Sequence, residues 1–104
     1  MALDFTEHRH LKGPVVYVLY ENSHQLTTMR SFLHELKREI TTNLLIISTE
    51  TDQNGARIAD FYDIMTFPAI LLVQEDDQIN KMWTGHQMPN ASEVGYLYRH
   101  CGGR

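Results

Sequence analysis

Residues 59–73 read Ala59-Asp60-Phe61-Tyr62-Asp63-Ile64-Met65-Thr66-Phe67-Pro68-Ala69-Ile70-Leu71-Leu72-Val73, and the position of Pro68 in this stretch decides the architecture. Proline has no N–H to give to a sheet ladder, so Pro68 belongs at the start of the apolar run 69–73, which is then a strand. Upstream, Ile58, Phe61 and Tyr62 recur at helical spacing behind Asn54-Gly55, which predicts a short helix within residues 52–63. Downstream, Glu75, Asp76, Asp77 and Gln78 form a polar turn. Beyond it Ile79, Lys81 and Trp83 alternate with Asn80, Met82 and Thr84, so the proline-led strand opens a β-hairpin.

Further out, Gly13-Pro14 breaks the chain before Val15–Tyr20 (VVYVLY), a β-branched and aromatic run that reads as a buried strand. Leu26, Met29, Phe32, Leu33, Leu36 and Ile40 then recur at steps of three and four. They predict one helix of about four turns with a single apolar face. Ser23 stands where its N-cap is expected, and Thr41-Thr42-Asn43 ends it. Residues 44–48 (LLIIS) are a second continuous apolar run, expected to be a strand covered on both faces. Strand, helix and strand make a βαβ unit, so these two strands should be parallel. Near the end, Asn90 with Glu93 forms a capping-box pattern, and Val94, Leu97, Tyr98 and Cys101 share one face of a last helix. At the start, Asp4 or Thr6 is placed to cap a short helix. No repeat, linker or low-complexity segment divides the chain, which is read as a single domain over residues 1–104.

A chain of 104 residues buries roughly 65% of its unfolded surface, enough for a core that needs no staple. Charged residues at 21% against 42% hydrophobic exclude a disordered tail. The net charge is −4 and the nine Lys and Arg residues are scattered, so neither nucleic acid nor an anionic membrane surface is an expected partner. The longest apolar stretch, 15–20, is far too short to span a bilayer, and the first ten residues carry charges where a signal peptide needs apolar ones. A cytoplasmic location is the default expectation, and a single cysteine agrees with a reducing compartment.

The element order and the residues from Ala59 to Val73 with Trp83-Thr84-Gly85 resemble the thioredoxin family. The resemblance runs from about Asp4 to Cys101. It implies an α/β thioredoxin-like fold: a central mixed sheet of four to five strands flanked by helices. It also implies a cis peptide bond at Phe67-Pro68. Aligning Val15–Leu26 with the family's first core strand and active-site loop places Ser23, His24, Gln25 and Leu26 where its Cys-x-x-Cys motif stands. Tyr17 falls near the family's buried acid. Disulfide exchange needs an attacking and a resolving thiolate, and the chain's one cysteine, Cys101, is far from that loop in sequence. The resemblance therefore transfers the fold and leaves the reaction behind.

What the resemblance leaves at the site is a shallow groove for extended peptides. By carry-over it comprises Asn22, Ser23, His24 and Gln25, then Thr66, Phe67 and Pro68, then Gly85 and His86. Pairing with an extended chain needs no sulfur. The structural alternative for the same residues is Ser23 as a cap, Phe67 as a packed aromatic and Pro68 as a fold determinant.

Six histidines raise the question of a metal. His8 and His10 diverge on any regular element, and no Cys, Asp or Glu completes a ligand spacing, so solvated surface histidines and no metal are expected. No cofactor is expected either. The leading functional expectation is a non-catalytic module that binds another protein or an extended peptide. The alternative is a glutathione-binding or single-cysteine redox protein acting through Ser23 or Cys101. For glutathione, Ser23 would meet the thiol and the Phe67-Pro68 backbone the peptide, but Gly85-His86-Gln87 stands where such domains carry a Glu-Ser step. Cys101 itself reads as a packed thiol on the apolar face of the last helix, with a reactive exposed thiol as its alternative.

Overall fold

The computed structural model describes residues 12–85 and 87–103. The expected helix capped by Asp4 or Thr6, the His8/His10 pair and His86 lie outside the described residues.

Strand β1 (Val15–Tyr20) is followed by helices α1 (Ser23–Thr28) and α2 (Arg30–Glu39), strand β2 (Leu44–Ser48), helix α3 (Gln53–Phe61), strands β3 (Ala69–Val73) and β4 (Ile79–Thr84), and helix α4 (Ala91–His100). Among the described residues the strands form one sheet in the order β2-β1-β3-β4. β1 pairs parallel with β2 and antiparallel with β3, and β3 with β4 is the expected hairpin. The sheet is therefore mixed.

Strand alternation divides the core into two layers. Val15, Tyr17, Leu19, Leu71 and Val73 pack against Ile58, Ala59 and Ile64 on the α3 side. Val16, Val18, Ile70 and Leu72 pack against Leu33 and Leu36 of α2 and Val94 and Tyr98 of α4 on the other. Helices cover both faces of the central strands, which is why β1 and β3 are apolar throughout.

Several expectations need correction. The single long helix is broken at Met29 into α1 and α2. Thr28 Oγ1 donates to the His24 carbonyl at 2.9 Å, the back-bonding by which threonine bends a helix. β2 is an edge strand of the described sheet, so Leu44, Leu45 and Ile46 are only half-buried. In α3 the buried face is Gly55, Ile58 and Ala59, while Phe61 is 44% exposed. Gly55 sets that face: a Cβ there would come within 2.8 Å of Ile47 Cγ2 and run into the Ser48 carbonyl, so only glycine lets α3 lie this close to β2.

The strict alternation expected in β4 is also interrupted. Leu72 pairs with Lys81 and Val73 with Ile79, which leaves Asn80 as an extra residue. This bulge sends Ile79 to the α3 side and Trp83 to the α2–α4 side, so the two do not share a face.

Candidate functional site

The site is built where β1 ends and β3 begins, at one end of the sheet. Asn22 is extended (φ −141, ψ 170), and its side-chain oxygen accepts the Gln25 backbone N–H at 3.0 Å. Asn22 is therefore the N-cap. Ser23, expected in that role, is the first helical residue, with its side chain exposed. The helix therefore starts one residue earlier than expected, at a residue that caps as well as serine does.

Gln25 ties this helix start to the neighbouring turn. Its Oε1 accepts from the Glu21 backbone N–H at 2.7 Å, and its Nε2 donates to the Phe67 carbonyl at 3.4 Å. The turn itself follows α3. Asp63 takes a left-handed conformation (φ 59), the Ile64 N–H returns to the Ala59 carbonyl at 2.8 Å, and Ile64 is buried. The chain then surfaces, with Met65 86% exposed and Thr66 exposed. The Phe67–Pro68 peptide bond is cis. Gly85 closes the third side: its N–H donates to the Pro68 carbonyl at 2.9 Å. With φ +63 and a Cβ position 3.0 Å from Thr66 Cγ2, this position takes a side chain only with strain.

These three segments enclose an open groove of about 880 Å³, within the usual size range of ligand sites. Of the residues expected there, His24, Gln25, Thr66, Phe67, Pro68 and Gly85 line it. Asn22 and Ser23 do not, and His86 lies outside the described residues. The groove also runs further than expected, past Thr28 to an apolar end made by Met29, Phe32, Met88 and Pro89. Sequence periodicity assigned Met29 and Phe32 to the core, and both do pack there, Met29 being 4% exposed; that they also form the groove's end leaves no mark in that periodicity. Met88-Pro89, an apolar pair just ahead of the Asn90 cap, was the one available signal for the far wall. No Asp, Glu, Lys or Arg is among the described lining residues.

Tyr17, Tyr62 and Cys101 do not belong to this groove. Tyr17, which the resemblance sets near a buried acid, is 4% exposed, and its phenol is pushed up to about 12 by burial and then by the charge of Asp77. Asp77 sits in the β3–β4 turn, at the opposite end of β3 from Pro68. Tyr62 also faces that turn, donating its hydroxyl to the Asp77 carbonyl at 2.6 Å; burial first, then Asp77, Tyr17 and Asp76, raises its pKa. Cys101 is the half-buried C-cap of α4 and packs against the core. It shares a shallow pocket with Glu75, Asp76 and Asn80 at the hairpin end, and burial pushes its thiol pKa up. Among the described residues no group of three or more His, Cys, Asp or Glu side chains could hold a metal ion. None of the described helices is long and apolar enough to cross a membrane.

No protein-family profile matches this sequence, and no curated protein does. Solved structures do. The N-terminal domain of PilB from Neisseria gonorrhoeae aligns over 96% of this chain and 84% of its own, with a TM-score of 0.65 at 12% identity. The reduced C-terminal domain of DsbD from Neisseria meningitidis covers 88% of this chain and 84% of its own, with a TM-score of 0.63 at 16% identity. Thioredoxin-2, a component of the malaria parasite protein secretion machinery, covers 88% of this chain and 86% of its own, with a TM-score of 0.62 at 12% identity. At these identities the likeness is one of fold.

Proposed function

The chain has a thioredoxin-like fold, and we propose that it is a non-catalytic module of that fold, which binds an extended, uncharged segment of a protein partner in the groove between α1–α2, the 66–68 turn and the side made by Thr84, Gly85, Gln87, Met88 and Pro89. One observation carries this reading. The groove joins a main-chain acceptor, the Phe67 carbonyl already taking an amide N–H, to an apolar end at Met29, Phe32, Met88 and Pro89. An extended segment matches both parts: its backbone pairs along the turn while an apolar side chain fills the far end. The lack of charged lining favours an uncharged segment, because a buried charge without a partner is costly.

Disulfide exchange finds no support, since the sequence holds one cysteine and Cys101 lies at the other end of the sheet from the groove. The glutathione reading needs Ser23 in the groove, which Ser23 does not line. A single, half-buried cysteine agrees with a reducing compartment such as the cytoplasm.

Selection from a random linear-peptide library displayed on phage tests the proposal. Peptides carrying an apolar residue and no nearby charge should be enriched on the wild-type domain and lost on Met88→Lys. Recovery of no peptide, or of peptides that bind Met88→Lys equally well, would contradict it.

A further inference from the structure

The two hydrogen bonds of the Gln25 carboxamide differ in quality. The one to the Glu21 N–H is short at 2.7 Å, whereas the one to the Phe67 carbonyl, at 3.4 Å, is at the limit of a hydrogen bond. Oε1 therefore holds the carboxamide, and Nε2 is left a loose donor to a carbonyl at the groove wall. Gln25 and Phe67 both line the groove, so this amide lies in the path of any chain laid along the 66–68 turn. A carboxamide is chemically a peptide group, and here it occupies the Phe67 carbonyl that a partner's main-chain N–H would need on that reading.

Resting on the peptide-binding reading above, we infer that Gln25 is a built-in stand-in for the partner's main-chain amide, displaced from the Phe67 carbonyl when an extended segment binds. The arrangement satisfies the Phe67 carbonyl in the free protein and so keeps a polar atom of a largely apolar groove from standing bare. It also makes binding an exchange of one amide for another, in which the partner's N–H at ordinary distance replaces a long contact. Because Oε1 and Nε2 share one planar carboxamide, Nε2 leaves by a pivot of the amide about its Oε1 contact with Glu21, and the helix start keeps its Asn22 cap throughout. Gln25 thus sets how tightly the groove holds a segment without serving as one of its lasting contacts.

The test uses a synthetic peptide from the phage selection on the whole chain. Gln25→Met keeps the side-chain length and removes the competing donor together with the Glu21 contact, while Asn22 still caps the helix start, so the peptide should bind about threefold or more tightly. In the wild-type protein the Gln25 side-chain amide protons should shift on binding. N-methylation of one particular peptide amide, the one that takes over the Phe67 carbonyl, should weaken binding about tenfold. Unchanged or weaker binding by a folded Gln25→Met variant, with immobile Gln25 amide protons, would overturn the stand-in role while leaving peptide binding intact. If Gln25→Met does not fold, the amide protons and the N-methyl scan decide on the wild-type protein alone. Recovery of no peptide at all would remove the peptide-binding reading and this inference together.

Discussion

Asn22 and Gln25 are joined by a 3.0 Å hydrogen bond from the Gln25 backbone N–H to the Asn22 side-chain oxygen, and this contact fixes the start of α1 beside the groove. Asn22→Ala removes an N-cap and should cost about 1 kcal/mol, whereas Ser23→Ala, at an exposed first helical position, should be close to neutral. Thermal unfolding of the two variants side by side checks this. The reverse order would mean that Ser23 is the cap.

Gly55 is the contact point of α3 with β2. Gly55→Ala should destabilise the domain by about 2 kcal/mol or more, because the added methyl meets Ile47 and the Ser48 backbone, and backbone has little room to retreat. Urea unfolding should show a lower midpoint with an unchanged slope.

Tyr17 gives the domain a weakness at high pH. Its pKa is raised from an ordinary 10 to about 12, so the folded state holds the proton after the unfolded state has lost it. The stabilisation is complete below pH 10 and is lost as pH rises through 10 toward 12. Stability measured across that range should fall, and the fall should be shallower in Tyr17→Phe.

Cys101 should behave as a packed thiol. Burial raises its pKa, so a disulfide reagent at neutral pH should modify the native protein more slowly than the protein unfolded in denaturant. Equal rates would indicate an open, activated thiol and revive a single-cysteine role.

The fold was legible because its signals are strong and local. Pro68 ahead of an apolar run, two continuous apolar strands and Asn90 with Glu93 each permit few alternatives; the Glu93 N–H does donate to Asn90 Oδ1 at 2.7 Å. The misreadings came from local geometry that periodicity does not carry. The helix turns at Met29 behind the Thr28 back-bond, one extra residue at Asn80 turns β4 over, and α3 faces the sheet with Gly55, Ile58 and Ala59, which leaves Phe61 outside. Of the site, the segments that meet were readable by resemblance. Its far wall had only the apolar pair Met88-Pro89 ahead of the Asn90 cap to mark it, with no periodicity to follow.

The most direct measurement is an NMR titration of the isotope-labelled chain with the phage-selected peptide, mapping which backbone amides move. The peptide-binding reading predicts saturable shifts confined to Gln25, Thr66, Phe67, Gly85 and Met88, with Tyr17 and Cys101 still. Shifts centred on Cys101 and the β3–β4 turn, or none in the groove, would contradict it.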